Sequence, residues 1–325
     1  MTVFIETATQ MAILFLLIAA GIIARKANLM NDDFDSKLSK LILDVAFPAM
    51  VIGSVLNNSD LPDVGTILRI LLISTLAMLL VIAISELVTR LYRKSTRSEQ
   101  ETHAFAMAFG NVGFMGFPVM SALFGSDAVL YAAIFNVPFN FLVFTYGIAM
   151  LKRGARDSGK DADAEEAGWR EKVKSTAKSL CNPTMISCIA APILAGFGIT
   201  DEGGIIGTFC ETLGNFVVPG SMLIIGSNLA TMSVKDMLSH GNVYATSLMR
   251  LLVIPITVYL VFRNFVTDPM LLGILVIATG MPTASLGTML SLIYGGDIKT
   301  IMRCTFMTTV LSLVTIPIIA TIAMA

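Results

Sequence analysis

Apolar runs close to the length of about 20 residues that a bilayer requires recur along the whole chain, separated by short polar breaks. They fall near residues 7–24, 37–56, 66–89, 103–123, 128–151, 181–199, 207–230, 242–262, 270–293 and 300–323. Lipid offers backbone N–H and C=O groups no partners, so runs of this length cross as helices that keep their hydrogen bonds internal. Composition agrees: 55% of the 325 residues are hydrophobic, 14% are charged, and the mean hydropathy is +0.79. Soluble domains carry about 25% charged residues. The expectation is an all-α membrane protein of ten transmembrane helices. The formal net charge of −1 carries no information about nucleic acid, because the basic residues are distributed by topology. Membrane lipid, and no nucleic acid, is the expected surrounding.

The distribution of Lys and Arg sets the expected orientation. Arg25, Lys26, Lys37 and Lys40 flank the first connection, and Arg90, Arg93, Lys94 and Arg97 the third. The fifth connection, 152–180, holds eight basic residues, the seventh Lys235, and the ninth with its flank Lys299 and Arg303. The connections 57–65, 124–127 and 200–206 have none, and 263–269 has only Arg263. Odd connections are therefore expected in the cytoplasm, with a cell-membrane location and both termini on the outer side. Arg25 and Lys26 follow the first apolar run and do not precede it, so that run reads as a first span, not a cleaved signal peptide. Within 152–180 an acidic patch (Asp161, Asp163, Glu165, Glu166) precedes Trp169, Val173 and Ala177 at helical spacing among charges. That pattern suits a short interfacial helix in a tether between two halves.

The halves repeat. Ile18–Ala24 matches Ile189–Ala195 at an offset of 171, and Asp44–Ala49 runs against Asn215–Gly220 at the same offset. Phe124-Gly125-Ser126-Asp127 matches Tyr294-Gly295-Gly296-Asp297 at an offset of 170. The division is 1–151 for the first five-helix repeat, 152–180 for a cytoplasmic linker and 181–325 for the second repeat. Five spans is an odd number, so the second copy enters the membrane inverted. Inverted repeats are a signature of secondary transporters, with the substrate site at mid-depth between the copies.

Two stretches interrupt spans at that depth. Gly110-Asn111-Val112-Gly113-Phe114-Met115-Gly116-Phe117-Pro118 puts three glycines, an asparagine and a proline inside the fourth span. Pro118 lacks an N–H and its ring opposes the carbonyl of Phe114, while glycine tolerates unwound backbone. Its counterpart in the ninth span is Ala278-Thr279-Gly280-Met281-Pro282-Thr283-Ala284-Ser285-Leu286-Gly287, and the offset of 171 sets Asn111 against Pro282. Antiparallel helices broken at the same depth can cross there, with half-helix N-termini pointing inward and carrying roughly +0.5 charge each. Such ends favour an anionic group without a buried Arg or Lys. The bland alternative is close packing at a glycine face with two proline kinks.

At these residues the chain resembles a family. Asn111 to Pro118 with Phe124-Gly125 is similar to the fourth-span motif of the auxin efflux carriers, whose bacterial members include malonate and malate permeases. Ala278 to Tyr294-Gly295 resembles the ninth-span motif, and ten spans, outside termini and Asn182-Pro183 opening the sixth span agree. The resemblance implies a fold like the bile acid–sodium symporters and sodium–proton antiporters, with spans 1, 2, 6 and 7 as scaffold and spans 3–5 and 8–10 as transport unit. It implies a crossover near Asn111 and Pro282 and homodimers through spans 2 and 7. The plant motif has Pro where this chain has Gly110, and the long plant loop is absent.

A small-molecule carboxylate is the expected substrate. Asn111 is expected to bond it, with the backbone from Gly113 and Gly116 to Pro118 and from Pro282 to Ser285 giving N–H donors, and Thr283 and Ser285 their hydroxyls. Asn136 and Asn140, four apart around Pro138, either line the same cavity or satisfy a kinked backbone. Asp44 is a candidate for coupling to H+ or Na+, or an ion-pair partner of Lys40 one turn away. Arg250 either attracts anions or snorkels to the interface, the second being favoured. Glu86 and Glu211 near span ends are expected to be solvated, Asn228 to cap its span and His103 to lie at the interface. No cofactor or metal is expected: Cys181, Cys188, Cys210 and Cys304 lack ligand spacing and read as free buried thiols. No enzyme motif falls at membrane depth. The rival classes are a cation–proton antiporter, which needs carboxylates at the crossing, and a ligand sensor without flux.

Overall fold

A computed structural model describes residues 2–58, 61–157, 182–231, 241–284 and 286–323. Among these residues the regular structure is helical, apart from one antiparallel bridge. The first half holds α1 (Thr2–Lys26), α2 (Asp32–Leu56), α3 (Val64–Thr89), α4 (Arg97–Ala108), α5 (Val112–Phe124) and α6 (Asp127–Arg156). The second holds α7 (Pro183–Gly196), α8 (Ile205–Thr231), α9 (Gly241–Phe262), α10 (Pro269–Gly280), α11 (Leu286–Tyr294) and α12 (Ile298–Ala323). By length and composition, α2, α3, α6, α8, α9 and α12 can each cross a membrane. The interfacial helix expected around Trp169, with Cys181, Lys235 and Ser285, lies outside the described residues.

Short polar residues start the helices where orphan N–H groups need acceptors. Asn31 accepts from Phe34 N–H at 2.9 Å, so α2 begins at Asp32, ahead of the apolar run that marks it in the sequence. Asp63 caps α3, Thr96 and Glu99 form a capping box on α4, and Asp268 caps α10. Asn182 caps α7, with Pro183 at the first helical position where a missing N–H costs nothing.

Connections segregate by charge. At the end poor in Lys and Arg, Asp201 N–H donates to the Leu56 carbonyl (2.8 Å), Asn57 to that of Gly207 (2.9 Å) and Arg69 to that of Phe265 (3.2 Å). At the basic end Asn242 donates to Ser95 Oγ (2.9 Å), Asp297 N–H to Thr102 Oγ1 (3.0 Å) and Arg153 to Glu101 (3.1 Å).

Two packing groups position the site. In one, α1 crosses α8 with backbones in contact at Gly21 and Gly226, and α2 packs on α7 and α8, Thr184 donating to the Leu43 carbonyl at 2.8 Å. In the other, α3, α4 and α6 join α9, α10 and α12. Between them, Phe47 of α2 meets Phe117 of α5 edge-on at 4.5 Å, and Asn136 of α6 donates to Cys188 Sγ of α7 at 3.4 Å. Gly125 and Gly295, 170 residues apart, share φ +84° and each donates to the carbonyl four residues back, Ser121 and Ser291.

Candidate functional site

The fourth and ninth apolar stretches break where the sequence removes helical backbone. Phe109 is extended (φ −116°, ψ 111°) and ends α4. Met281 is extended (φ −65°, ψ 147°) and ends α10, because the ring of Pro282 disfavours helical backbone in the residue before it. The freed groups pair with each other. Gly110 and Thr283 form an antiparallel bridge, Asn111 N–H donates to the Pro282 carbonyl (2.7 Å) and Ala284 N–H to the Phe109 carbonyl (3.1 Å). Two helix C-termini, of α4 and α10, and two N-termini, of α5 and α11, thus meet at one crossing.

Asn111 begins α5. Its Oδ1 accepts from Phe114 N–H at 3.3 Å, and its carbonyl accepts from Met115 and Gly116 N–H at 3.2 and 3.0 Å. The second of these bonds closes a π-helical turn over Val112–Gly116. Among the described residues the amide nitrogen of Asn111 has no partner, and none lies within 4 Å of where a Cβ on Gly113 would stand. A donor and open space therefore adjoin the first turn of α5. Gly116, by contrast, packs against Val112, Met120 and Met281.

The break is narrower than the glycine run suggests. The backbone is extended at Phe109 and non-helical at Asn111, and it is helical again from Val112. Pro118 takes the second position of an α-helical segment, downstream of the π-turn, and interrupts nothing. Thr283 is fully buried; its hydroxyl donates to the Ala106 carbonyl and its N–H to Thr308 Oγ1, both at 3.0 Å. Asn140 donates to the Asn136 carbonyl (2.9 Å), and Asn136 lies against α7, on the boundary between the two packing groups.

Arg250 is the residue that sequence reasoning misplaced. It is 1% exposed, in a π-helical turn of α9, and does not reach an interface. About eight residues into a helix is ~12 Å of depth, beyond the span of an arginine side chain. Nε donates to the Met281 carbonyl (2.7 Å), Nη1 to those of Met107 (2.8 Å) and Ala108 (3.2 Å), and Nη2 to that of Ala278 (3.4 Å). The guanidinium thus caps the C-termini of both α4 and α10. A Cβ on Gly110 would collide with Nη2. The signal in the sequence was an arginine at mid-depth together with glycine at the position before Asn111.

Other expectations change with the geometry. His103 is 3% exposed, with Nδ1 2.8 Å from Thr246 Oγ1 and Tyr92 edge-on to the ring, so it is a buried residue and not an interfacial one. Glu86 is held by Arg153 and Tyr146 rather than left to solvent. Asp44 is exposed, as is Lys40, and no ion pair joins the two. Among the described residues the buried carboxylates are Asp35 and Glu101. Both are ion-paired near the basic end, Asp35 with Arg25 and Glu101 with Arg97 and Arg153. Cys188, Cys210 and Cys304 are free and buried. A cleft of about 350 Å³ opens at the end poor in Lys and Arg, lined by Ser54 and Asn57 of α2, Glu211 and Asn215 of α8, and Ser121 of α5.

Known proteins align with nearly the whole of this chain. An uncharacterized transporter of Methanothermobacter thermautotrophicus is 24% identical over 321 residues, 96% of this chain and 97% of its own. An uncharacterized transporter of Methanocaldococcus jannaschii is 23% identical over 307 residues, 94% of each. The family model described as membrane transport protein matches residues 7–320. This chain belongs to that membrane transport protein family, the auxin efflux carriers.

Proposed function

We propose that the chain is a secondary carrier of small organic anions, mono- or dicarboxylates, that works by alternating access at the crossing. The observation that carries this reading is the pairing of Gly110 with Thr283, which brings the segments that lead into α5 and α11 together at one crossing. Each start contributes roughly +0.5 charge from unpaired N–H groups. A carboxylate in the space beside Gly113 would accept from the Asn111 amide nitrogen and from the Gly113 N–H, the other first-turn N–H groups of α5 being bonded already. Arg250 adds positive charge at the same depth, and no buried carboxylate among the described residues opposes it.

The wider reading is ten spans in two inverted five-helix repeats, with the basic end in the cytoplasm. The segregation of connections by charge supports the orientation. The shared geometry of Gly125 and Gly295 at the repeat offset supports the duplication. In this scheme α1, α2, α7 and α8 form the scaffold, paired in a dimer through α2 and α8. The group carrying the crossing moves against it, with Asp44 as the candidate for proton or sodium coupling.

The test is uptake of labelled mono- and dicarboxylates into proteoliposomes, with and without sodium and pH gradients. Wild-type protein should take up at least one of them, and Asn111→Ala should reconstitute equally well yet show no uptake. Undiminished uptake by that variant would overturn the assignment of the site.

A further inference from the structure

The charges at the crossing can be summed. The C-termini of α4 and α10 bring roughly −0.5 each and the N-termini of α5 and α11 roughly +0.5 each, so the four helix ends cancel. Arg250 adds one full positive charge, is buried, and has no carboxylate partner among the described residues. Its four hydrogen bonds go to carbonyls at the two C-termini and none to the N-termini. Its charge is therefore spent locally against the two negative helix ends, and the two positive ends remain without a counter-charge.

We propose that Arg250, acting through the helix ends it caps, sets the empty crossing at one net positive charge and so makes the carrier select singly charged anions. This rests on the anion-carrier reading above. A monoanion brings the crossing to neutrality. A dianion would leave one negative charge uncompensated at mid-depth, where an unpaired charge is costly. Dicarboxylates are then accepted as the singly protonated form. A further consequence concerns voltage. The loaded site is neutral and the empty site carries the charge, so the membrane potential acts on the empty return step and not on the loaded one. Arg250 is a positioning residue in this scheme; it touches no substrate.

The experiment compares dicarboxylates of two to six carbons with their monomethyl esters, which have nearly the same size but one charge. It is done in proteoliposomes at a pH of ~7.5, where both carboxyls of the diacids are ionised. Wild type should prefer the esters by roughly a hundredfold, the scale expected when a buried charge lacks its partner. Ester–ester exchange should be insensitive to a clamped potential, whereas net ester uptake should respond to it. Arg250→Lys should keep the preference and the voltage pattern at lower thermal stability. Arg250→Gln should lose the preference and transfer voltage sensitivity to exchange. Equal transport of diacids and esters by wild type, or an unchanged preference in a folded Arg250→Gln, overturns the proposal while leaving the anion carrier intact. Transport of neither set overturns the anion reading itself, and this proposal with it.

Discussion

A methyl group on residue 110 and one on residue 113 have opposite consequences, although the two glycines are three positions apart in one motif. At Gly110 the added carbon meets the Arg250 guanidinium, which is anchored by carbonyls of two helices and cannot yield. Gly110→Ala should destabilise the protein by about 1–3 kcal/mol, the usual cost of overpacking a tight site. Its effect should shrink in an Arg250→Met background, where the longer reach of the guanidinium is gone. At Gly113 the space is open and the backbone helical, so Gly113→Ala should leave thermal stability unchanged or raise it by about 0.4–1 kcal/mol. The same methyl fills the space beside Asn111, and carboxylate affinity should fall. Thermal unfolding in detergent with a carboxylate titration separates the two cases; equal destabilisation by both variants would contradict the packing described here. Asn111→Ala adds a third expectation, because it removes the cap from α5 as well as the free amide. The stability loss should be about 1 kcal/mol, too small to explain abolished uptake.

At the scale of elements, the crossing depends on a few bonds that replace helical ones. Thr308 on α12 accepts the Thr283 N–H, and Thr283 returns its hydroxyl to α4, so three helices share one short extended segment. Thr308→Val keeps the volume and removes the acceptor, leaving a buried N–H unpaired. It should cost about 1–3 kcal/mol in thermal unfolding, whereas Thr309→Val on the half-buried face should cost less. The sequence pointed to both interruptions through Gly, Pro and Asn inside apolar runs. It centred the first near Asn111 but also counted Pro118 among the breakers, because proline lacks an N–H and its ring opposes a helical carbonyl. In the fold that proline lies inside α5 directly after the π-turn, and the helix runs on through it to Phe124. The π-turns at Ile42–Ala46, Val112–Gly116, Val143–Gly147 and Met249–Val253 leave no mark in apolar periodicity. Each shifts helical phase by one residue.

For the molecule as a whole, the legible part was the alternation of charge along the chain, and the illegible part was which polar groups are buried. Lys and Arg counts divided the connections into two sets, and long-range hydrogen bonds gather each set at its own end. Burial of His103 and Arg250 depends on neighbours more than a hundred residues away in the chain or on a second broken helix, so local composition could not reveal it. The two ends make the proposed orientation testable without a substrate. Positions near the Lys/Arg-poor end, Asn58 and Glu202, and positions near the basic end, Lys94 and Arg156, can each be changed to cysteine in a chain lacking Cys181, Cys188, Cys210 and Cys304. In intact cells a membrane-impermeant maleimide should label Asn58→Cys and Glu202→Cys, while Lys94→Cys and Arg156→Cys should react only after permeabilisation. Asn58 and Glu202 come from opposite halves of the chain, so their labelling from one side also tests the inverted insertion of the second repeat. Five spans per repeat require both to face outward, whereas a repeat inserted the same way round would put Glu202 with Lys94. Labelling of Lys94→Cys in intact cells would reverse the orientation, and opposite behaviour of Asn58→Cys and Glu202→Cys would remove the inverted repeat.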